Sequence, residues 1–295
     1  MNKTADVSLS PSAVANLSSL VTRANSKLGM ITSGEILRFF ETEDVQESIN
    51  NAFRSASRSG HRTIALEGAD KVGKSKLAPA IAEFVGGQVF AASAVSDQLL
   101  KQIGIPASEK PKFFLNAESN LVSLTFFLLA NAQLLSLSSA SQSNETVSVL
   151  DGFVFRTLAA HQARRALSTE SPSSAEQTLT KLENLMVEKV AGSPSFEFVF
   201  LYASPKVRES HLALQGKDNR ADKNSNIAQI GSEYLLSYEQ LLRSKRVPTH
   251  GIYSILKGES CPLRMANANI VFPETNDTNA DVAGKVAILG RFLRT

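Results

Sequence analysis

The chain has 295 residues, 43% of them hydrophobic, enough to bury one substantial core or one core with a small appendage. Its 31 basic and 28 acidic residues leave a net charge of +3, too small to argue for nucleic acid or a membrane surface. A single cysteine, Cys261, excludes an internal disulfide framework and a cysteine-based zinc site. With no basic-then-apolar leader at the start, the cytoplasm is the expected compartment.

Residues 1–60 read as an extension with a Ser/Asn-rich start, expected to be mobile and dispensable over 1–30. A helix follows over 33–55, because Ile36, Leu37, Phe40, Val45, Ile49 and Phe53 recur at helical spacing, with Ser33 as its cap. That apolar stripe needs cover, from the rest of the chain or from a second copy in a homodimer. From residue 61 to 295 the pattern alternates. Five strand-like apolar runs, 63–67, 87–92, 147–151, 196–203 and 269–273, are separated by helix-like segments at 75–85, 118–139, 153–166, 175–190, 226–244 and 280–293. Such alternation predicts an α/β fold, a parallel sheet with helices on both faces. The uncharged stretch 121–139 is expected to be a buried core helix rather than a membrane span, since it carries Asn131 and Gln133 near its middle and precedes a strand.

The chemistry starts at "IALEGADKVGKSKL", residues 64–77. An apolar run stops at Gly68, and the spacing G-x-x-x-x-G-K-S continues to Gly73, Lys74 and Ser75 at the start of a predicted helix. In a P-loop the backbone amides surround the phosphates, the lysine neutralises them and the hydroxyl helps to hold Mg²⁺. ATP and Mg²⁺ are therefore the expected cofactors. "VSVLDGF" ends a strand on Asp151, with Gly152 in place of a second carboxylate to activate water. That aspartate fits Mg²⁺ held through water better than hydrolysis, and capping the next helix is a compatible alternative. The four histidines show no ligand spacing.

The string Glu67-Gly68-x-Asp70-x-x-Gly73-Lys74-Ser75 resembles the P-loop of thymidylate kinases, E-G-x-D-x-x-G-K-S/T, in which the embedded aspartate is the specific part. Weaker matches follow in order over residues 62–295: "LLANAQ" (128–133) to A-N-R, "LDGFVFRTLAAHQ" (150–162) to D-R-Y…A-Y-Q, and 198–222 to the strand and LID. The resemblance implies a three-layer P-loop kinase fold with a five-stranded parallel sheet, order 2-3-1-4-5. The implied activity is transfer of the γ-phosphoryl of ATP to a deoxynucleoside monophosphate. It places Lys74 and Ser75 on phosphate and Mg²⁺, Asp70 at the acceptor sugar, and Asp151 at the metal and acceptor phosphate. Lys71 stands where some members carry a P-loop arginine, and Arg220 lies in the LID. Asn131, Phe153 and Gln162 are the implied acceptor contacts, with Phe153 equally able to fill the core.

The chain departs from that pattern where the family holds its acceptor phosphate. The A-N-R arginine is Ala132, the D-R-Y arginine is Gly152, the LID Arg-Gly aligns with Gln215-Gly216, and no arginine follows the second strand. Arg156, Arg164 and Arg165 on the next helix are the candidates to take over. The alternative function is a degenerate P-loop protein that binds nucleotide in a structural or interaction role.

Overall fold

The computed structural model describes residues 9–26, 31–57, 61–106, 120–140, 146–167, 173–214, 220–256, 270–275 and 277–293. Its centre is a parallel sheet of six strands: β1 (Arg62–Gly68), β2 (Gln88–Ala91), β3 (Val147–Asp151), β4 (Phe196–Ala203), β5 (Thr249–Leu256) and β6 (Ile270–Glu274). The order is β2-β3-β1-β4-β5-β6, with every pairing parallel. The fold class is the expected one, and the strand count is corrected from five to six. The expected closing strand is in fact β6, and β5 lies between it and β4. "THGIYSIL" does not read as a strand because His250, Gly251 and Ser254 interrupt its apolar run. The glycine has a packing reason: a Cβ at Gly251 would lie 2.7 Å from Oε1 of the buried Glu239, which also accepts from the Tyr202 hydroxyl at 2.7 Å.

β4 sorts the two faces. In "FEFVFLYA" the strand alternation sends Phe196, Phe198, Phe200 and Tyr202 to one side and Val199 and Leu201 to the other. The aromatic side stacks along the strand, with centroids 5.8 Å apart for Phe196–Phe198 and 6.4 Å for Phe200–Tyr202. The other side packs on α4 (Lys74–Val85) and the C-terminal helix, α11 (Thr278–Leu293), through Leu77, Ile81 and Leu289. The aromatic side faces the larger helical layer: α5 (Ala92–Gln102), α6 (Asn120–Ala140), α7 (Val154–Ala166), α8 (Ser173–Ala191) and α10 (Arg220–Ser244). α9 (Pro205–Leu214) follows β4 directly. Among the described helices α6 alone is long and apolar enough to cross a membrane, and it is instead enclosed by α3, α5 and α7. A helix covered all round can be apolar all round.

The N-terminal segment is more structured than expected. α1 (Pro11–Ser26) buries Leu17 and Val21 completely, and Ser18 Oγ donates to the Ile103 carbonyl at 3.0 Å. The expected single helix over 33–55 is two, α2 (Ser33–Glu41) and α3 (Glu43–Ala56), broken where Thr42 turns extended. The cap is Thr32 rather than Ser33, in a reciprocal capping box with Glu35. Ile36, Phe40, Val45, Ile49 and Phe53 are buried as expected, with Phe39 buried where Leu37 is only half-covered. They join the same core as the aromatic face of the sheet: Phe53 lies 5.9 Å from Phe196 between ring centres.

This docking makes residues 9–26 a working part of the core. Two buried aliphatic side chains contribute about 1.5–3 kcal/mol each, and each kcal/mol shifts the melting temperature of a large domain by roughly 2–4 °C. A chain starting at Thr32 should melt at least about 5 °C below the full-length protein in a calorimetric scan. Equal melting temperatures would show that α1 adds nothing to the core.

Candidate functional site

The site sits at the carboxyl ends of β1 and β3, where a parallel sheet opens a crevice. Leu66 of β1 is in register with Asp151, the last residue of β3, so β1 runs two residues past the aspartate before the loop begins. The chain turns through the P-loop with Lys71 at φ 67° and Gly73 at φ 94°, then enters α4 at Lys74. Gly68, Gly73, Lys74 and Ser75 thus lie along one turn between β1 and α4. Ser75 is exposed on the first turn, whereas Lys74 is buried and its Nζ donates to the carbonyls of Gly68 and Ala69 at 2.7 Å each. Burial, and then the nearby Arg156, bring the Lys74 ammonium down to about 8.

Glu67 closes the site from below. It is completely buried, and Oε1 and Oε2 accept from the backbone amides of Phe155 and Arg156 at 2.9 and 2.8 Å. These are amides of the first turn of α7, whose own cap residue, Phe153, makes no side-chain cap bond. A strand carboxylate therefore caps a helix 88 residues away in sequence. Burial pushes the Glu67 carboxyl up to about 7, against the two amide bonds that favour its charged form.

The first turn of α7 also presents Arg156. Its Nη2 lies 3.5 Å from Asp70 Oδ1, and the guanidinium holds the Asp70 carboxyl below its usual range. A Cβ at Gly152 would lie 2.8 Å from Arg156 Nη1, and Gly152 has φ 86°. Gly152 therefore leaves room for the guanidinium of Arg156 four residues later. Arg164, two further turns along and half-buried, adds its charge to the field at Asp70. Burial lowers its pKa, and among the described residues no carboxylate pairs with it. Arg165 turns the other way, 3.9 Å from Glu176.

The remaining expected site residues are dispersed. Phe153 is 1% exposed and stacks on Phe196 with centroids 5.7 Å apart, so it fills the core and presents no face to a base. Of the two readings held for it, the core one fits the structure, and it is withdrawn from the acceptor set. Asn131 is buried and donates to Thr157 Oγ1 at 3.3 Å; Gln162 donates to Glu183 at 3.2 Å. Arg220 begins α10, and its side chain lies outside the described residues, as do Gln215, Gly216 and Cys261. Among the described residues no cluster of three or more His, Cys, Asp or Glu could hold a metal by itself. Sequence reasoning missed Glu67's role as a cap and the tie of His211 to the loop; only the E-G of the motif signalled the former.

No protein-family model matches this sequence, and no curated protein does. Among solved structures the chain is similar to deoxyadenosine kinase from M. mycoides with bound dATP, at 14% identity and a TM-score of 0.51, covering 77% of this chain and 98% of that one. The same enzyme with bound dCTP gives 12% identity, a TM-score of 0.47, and 78% and 99% coverage. Shikimate kinase from Acinetobacter baumannii in complex with shikimate gives 14%, 0.38, and 82% and 98%. Identities this low speak to fold alone, a parallel α/β sheet covered by helices.

The Glu67 cap has a measurable signature. A carboxyl raised from about 4.3 in the unfolded chain to about 7 when folded takes up a proton on folding. Its stabilising contribution is complete below about pH 4.3 and lost as pH rises through 7. Melting curves of the wild type against Glu67→Gln should differ in slope over that interval, with the variant flatter. Parallel curves would show that Glu67 titrates normally. Gly152→Ala should cost about 1 kcal/mol from its positive φ and displace Arg156 from Asp70, which an NMR titration would read as a rise in the Asp70 pKa.

Proposed function

We propose that this chain is a Mg²⁺·ATP-dependent phosphotransferase acting on a nucleotide, with a deoxynucleoside monophosphate as acceptor. One observation carries the reading: Arg156 and Asp70 face each other 3.5 Å apart beside a P-loop whose lysine is in place. An arginine at that position offers a planar fork to a phosphate, and the exposed carboxylate next to it offers an acceptor to a sugar hydroxyl. Arg164 adds a second cation, so the crevice favours an acceptor that already carries a phosphate.

The donor side fits ATP and Mg²⁺. Lys74 would exchange the carbonyls of Gly68 and Ala69 for phosphate oxygens, and the loop amides would surround those oxygens. Ser75 Oγ and the Asp151 carboxylate are two oxygen donors on adjoining elements, a set that suits Mg²⁺ completed by phosphate and water. When bound, that ion supplies charge neutralisation and alignment of the phosphates. Lys71 would approach the transferring phosphoryl group, and Arg220 would meet it from the LID. Phosphoryl transfer asks a protein mainly for positioning and positive charge, and these residues supply both. With Gly152 after Asp151, no adjacent carboxylate activates water, so hydrolysis without acceptor should be slow. The M. mycoides enzyme was solved with dATP, a deoxynucleotide, which agrees with this class of ligand.

The test is incubation of the purified chain with Mg²⁺·ATP and each nucleoside or nucleoside monophosphate in turn, with product detection. Transfer should appear with a deoxynucleoside monophosphate. Arg156→Ala should raise the acceptor KM by roughly 10–100-fold, the loss of one or two charge-assisted hydrogen bonds. Lys74→Ala should weaken ATP binding strongly, by more than the loss of its two carbonyl contacts lowers the melting temperature, with circular dichroism showing that the variant still folds. ATP binding without transfer to any acceptor would assign the chain to the nucleotide-binding modules.

A further inference from the structure

Behind the P-loop runs a chain of polar contacts that phosphate binding does not require. His211 of α9 places Nδ1 2.8 Å from the Lys71 carbonyl and Nε2 3.0 Å from Glu274 Oε2. Glu274 ends β6, is buried, and through Oε1 accepts from Lys285 of α11. We propose that His211 is a positioning residue of the nucleotide site, an imidazolium that donates from both ring nitrogens and pins the Lys71 turn of the P-loop to the β6–α11 edge of the sheet. The functional half of this proposal rests on the nucleotide-binding reading above; the tie itself rests on the geometry alone.

The protonation state follows from the neighbours. A carbonyl oxygen can only accept, and Glu274, already paired with Lys285, can only accept as a carboxylate. A neutral ring carries one N–H and would leave one of the two contacts unmade, so the arrangement calls for a proton on each nitrogen. The turn being held is a strained one: Lys71 has φ 67°, a left-handed conformation that a side chain other than glycine or asparagine adopts at some cost. An anchor on its own carbonyl is the kind of contact that can maintain it.

The charged groups around the ring agree in direction. The hydrogen bond to Glu274 raises the His211 pKa above its ordinary value, with the Lys71 carbonyl adding to the rise and burial and Lys285 opposing it. Burial pushes the Glu274 carboxyl up, but the bonds from His211 and Lys285 outweigh it and bring it down to about 2. On α9 itself, Arg208 answers instead to Tyr253 of β5 and to Glu209. The sign follows. A histidine with a raised pKa holds its contact fully below about 6.5 and loses it as pH climbs through the raised value. The loop should therefore be held in acid and released as pH climbs past the raised value.

The experiment uses the full-length chain with ¹³C-labelled histidine, titrated by NMR without nucleotide. One of the four histidines should titrate above 6.5, vanish in His211→Gln, and fall back in Glu274→Gln. Hydrogen exchange at residues 70–74, compared at one pH near 6, should be faster in His211→Gln than in wild type. ATP affinity by calorimetry, taken as the ratio of wild type to His211→Gln, should be about tenfold at pH 6, the loss of one charge-assisted hydrogen bond, and near one at pH 9. Glu274→Gln lets a neutral ring donate through Nδ1 and accept through Nε2, so its affinity should not fall between the two pH values beyond the fall in His211→Gln. Circular dichroism checks that each variant folds. A His211 pKa at or below 6.5, or loop exchange and affinity ratios unmoved by His211→Gln, overturns the proposal. A high His211 pKa and a loosened loop in a chain that binds no ATP at either pH upholds the tie and overturns the nucleotide reading instead.

Discussion

The site depends on one buried carboxylate. Glu67 stands one residue before the end of the central strand, where the chain leaves the sheet for the P-loop, and its two oxygens close the first turn of α7. A helix start otherwise leaves its first amides without partners, and inside a core that is expensive. By meeting that need from β1 rather than from α7 itself, the fold ties the strand that leads into the glycine-rich loop to the helix that carries Arg156. The separation of Arg156 from Asp70 is thus set by a contact at the floor of the site and not by the two side chains, both of which are well exposed.

Around that unit, the sheet distributes its load unequally. Alternation along β4 puts all the aromatic bulk on one face, and bulk of that size needs a thick cover. α6 and α3 supply the inner part of it, with Phe53 of α3 directly on Phe196, and α1 and α2 lie further out, all within the same core cluster as the strands. The opposite face carries smaller aliphatic side chains and is closed by α4 and α11. The glycine-rich loop opens α4, on the thinner layer, while Arg156 comes from the thicker one. The crevice between them is where the two layers part above the strand ends.

The missing side chain at Gly152, just ahead of α7, leaves a volume that the guanidinium of Arg156 takes up: a Cβ there would lie 2.8 Å from Nη1. Arg156 is thereby free to lie beside Asp70, a placement that matching positions one by one along the sequence does not reveal.

Sequence alone determined what is local. The strand, glycine turn and helix of residues 62–85 are contiguous, so the P-loop is legible from spacing, and the apolar periods of 36–53 and 196–203 identify buried faces without reference to what buries them. Tertiary structure decided what depends on partners distant in the chain. β5 is a strand despite its broken apolar run because β4 and β6 pair with it on both sides and Glu239 lies over Gly251. Phe153 became core because Phe53 and Phe196 converge on it from either side in sequence. The contacts of Glu67 with α7 and of His211 with Lys71 span 88 and 140 residues. A hydrogen bond between such groups leaves no periodicity or spacing in the sequence, because what brings them together is the packing of the sheet and its two helical layers.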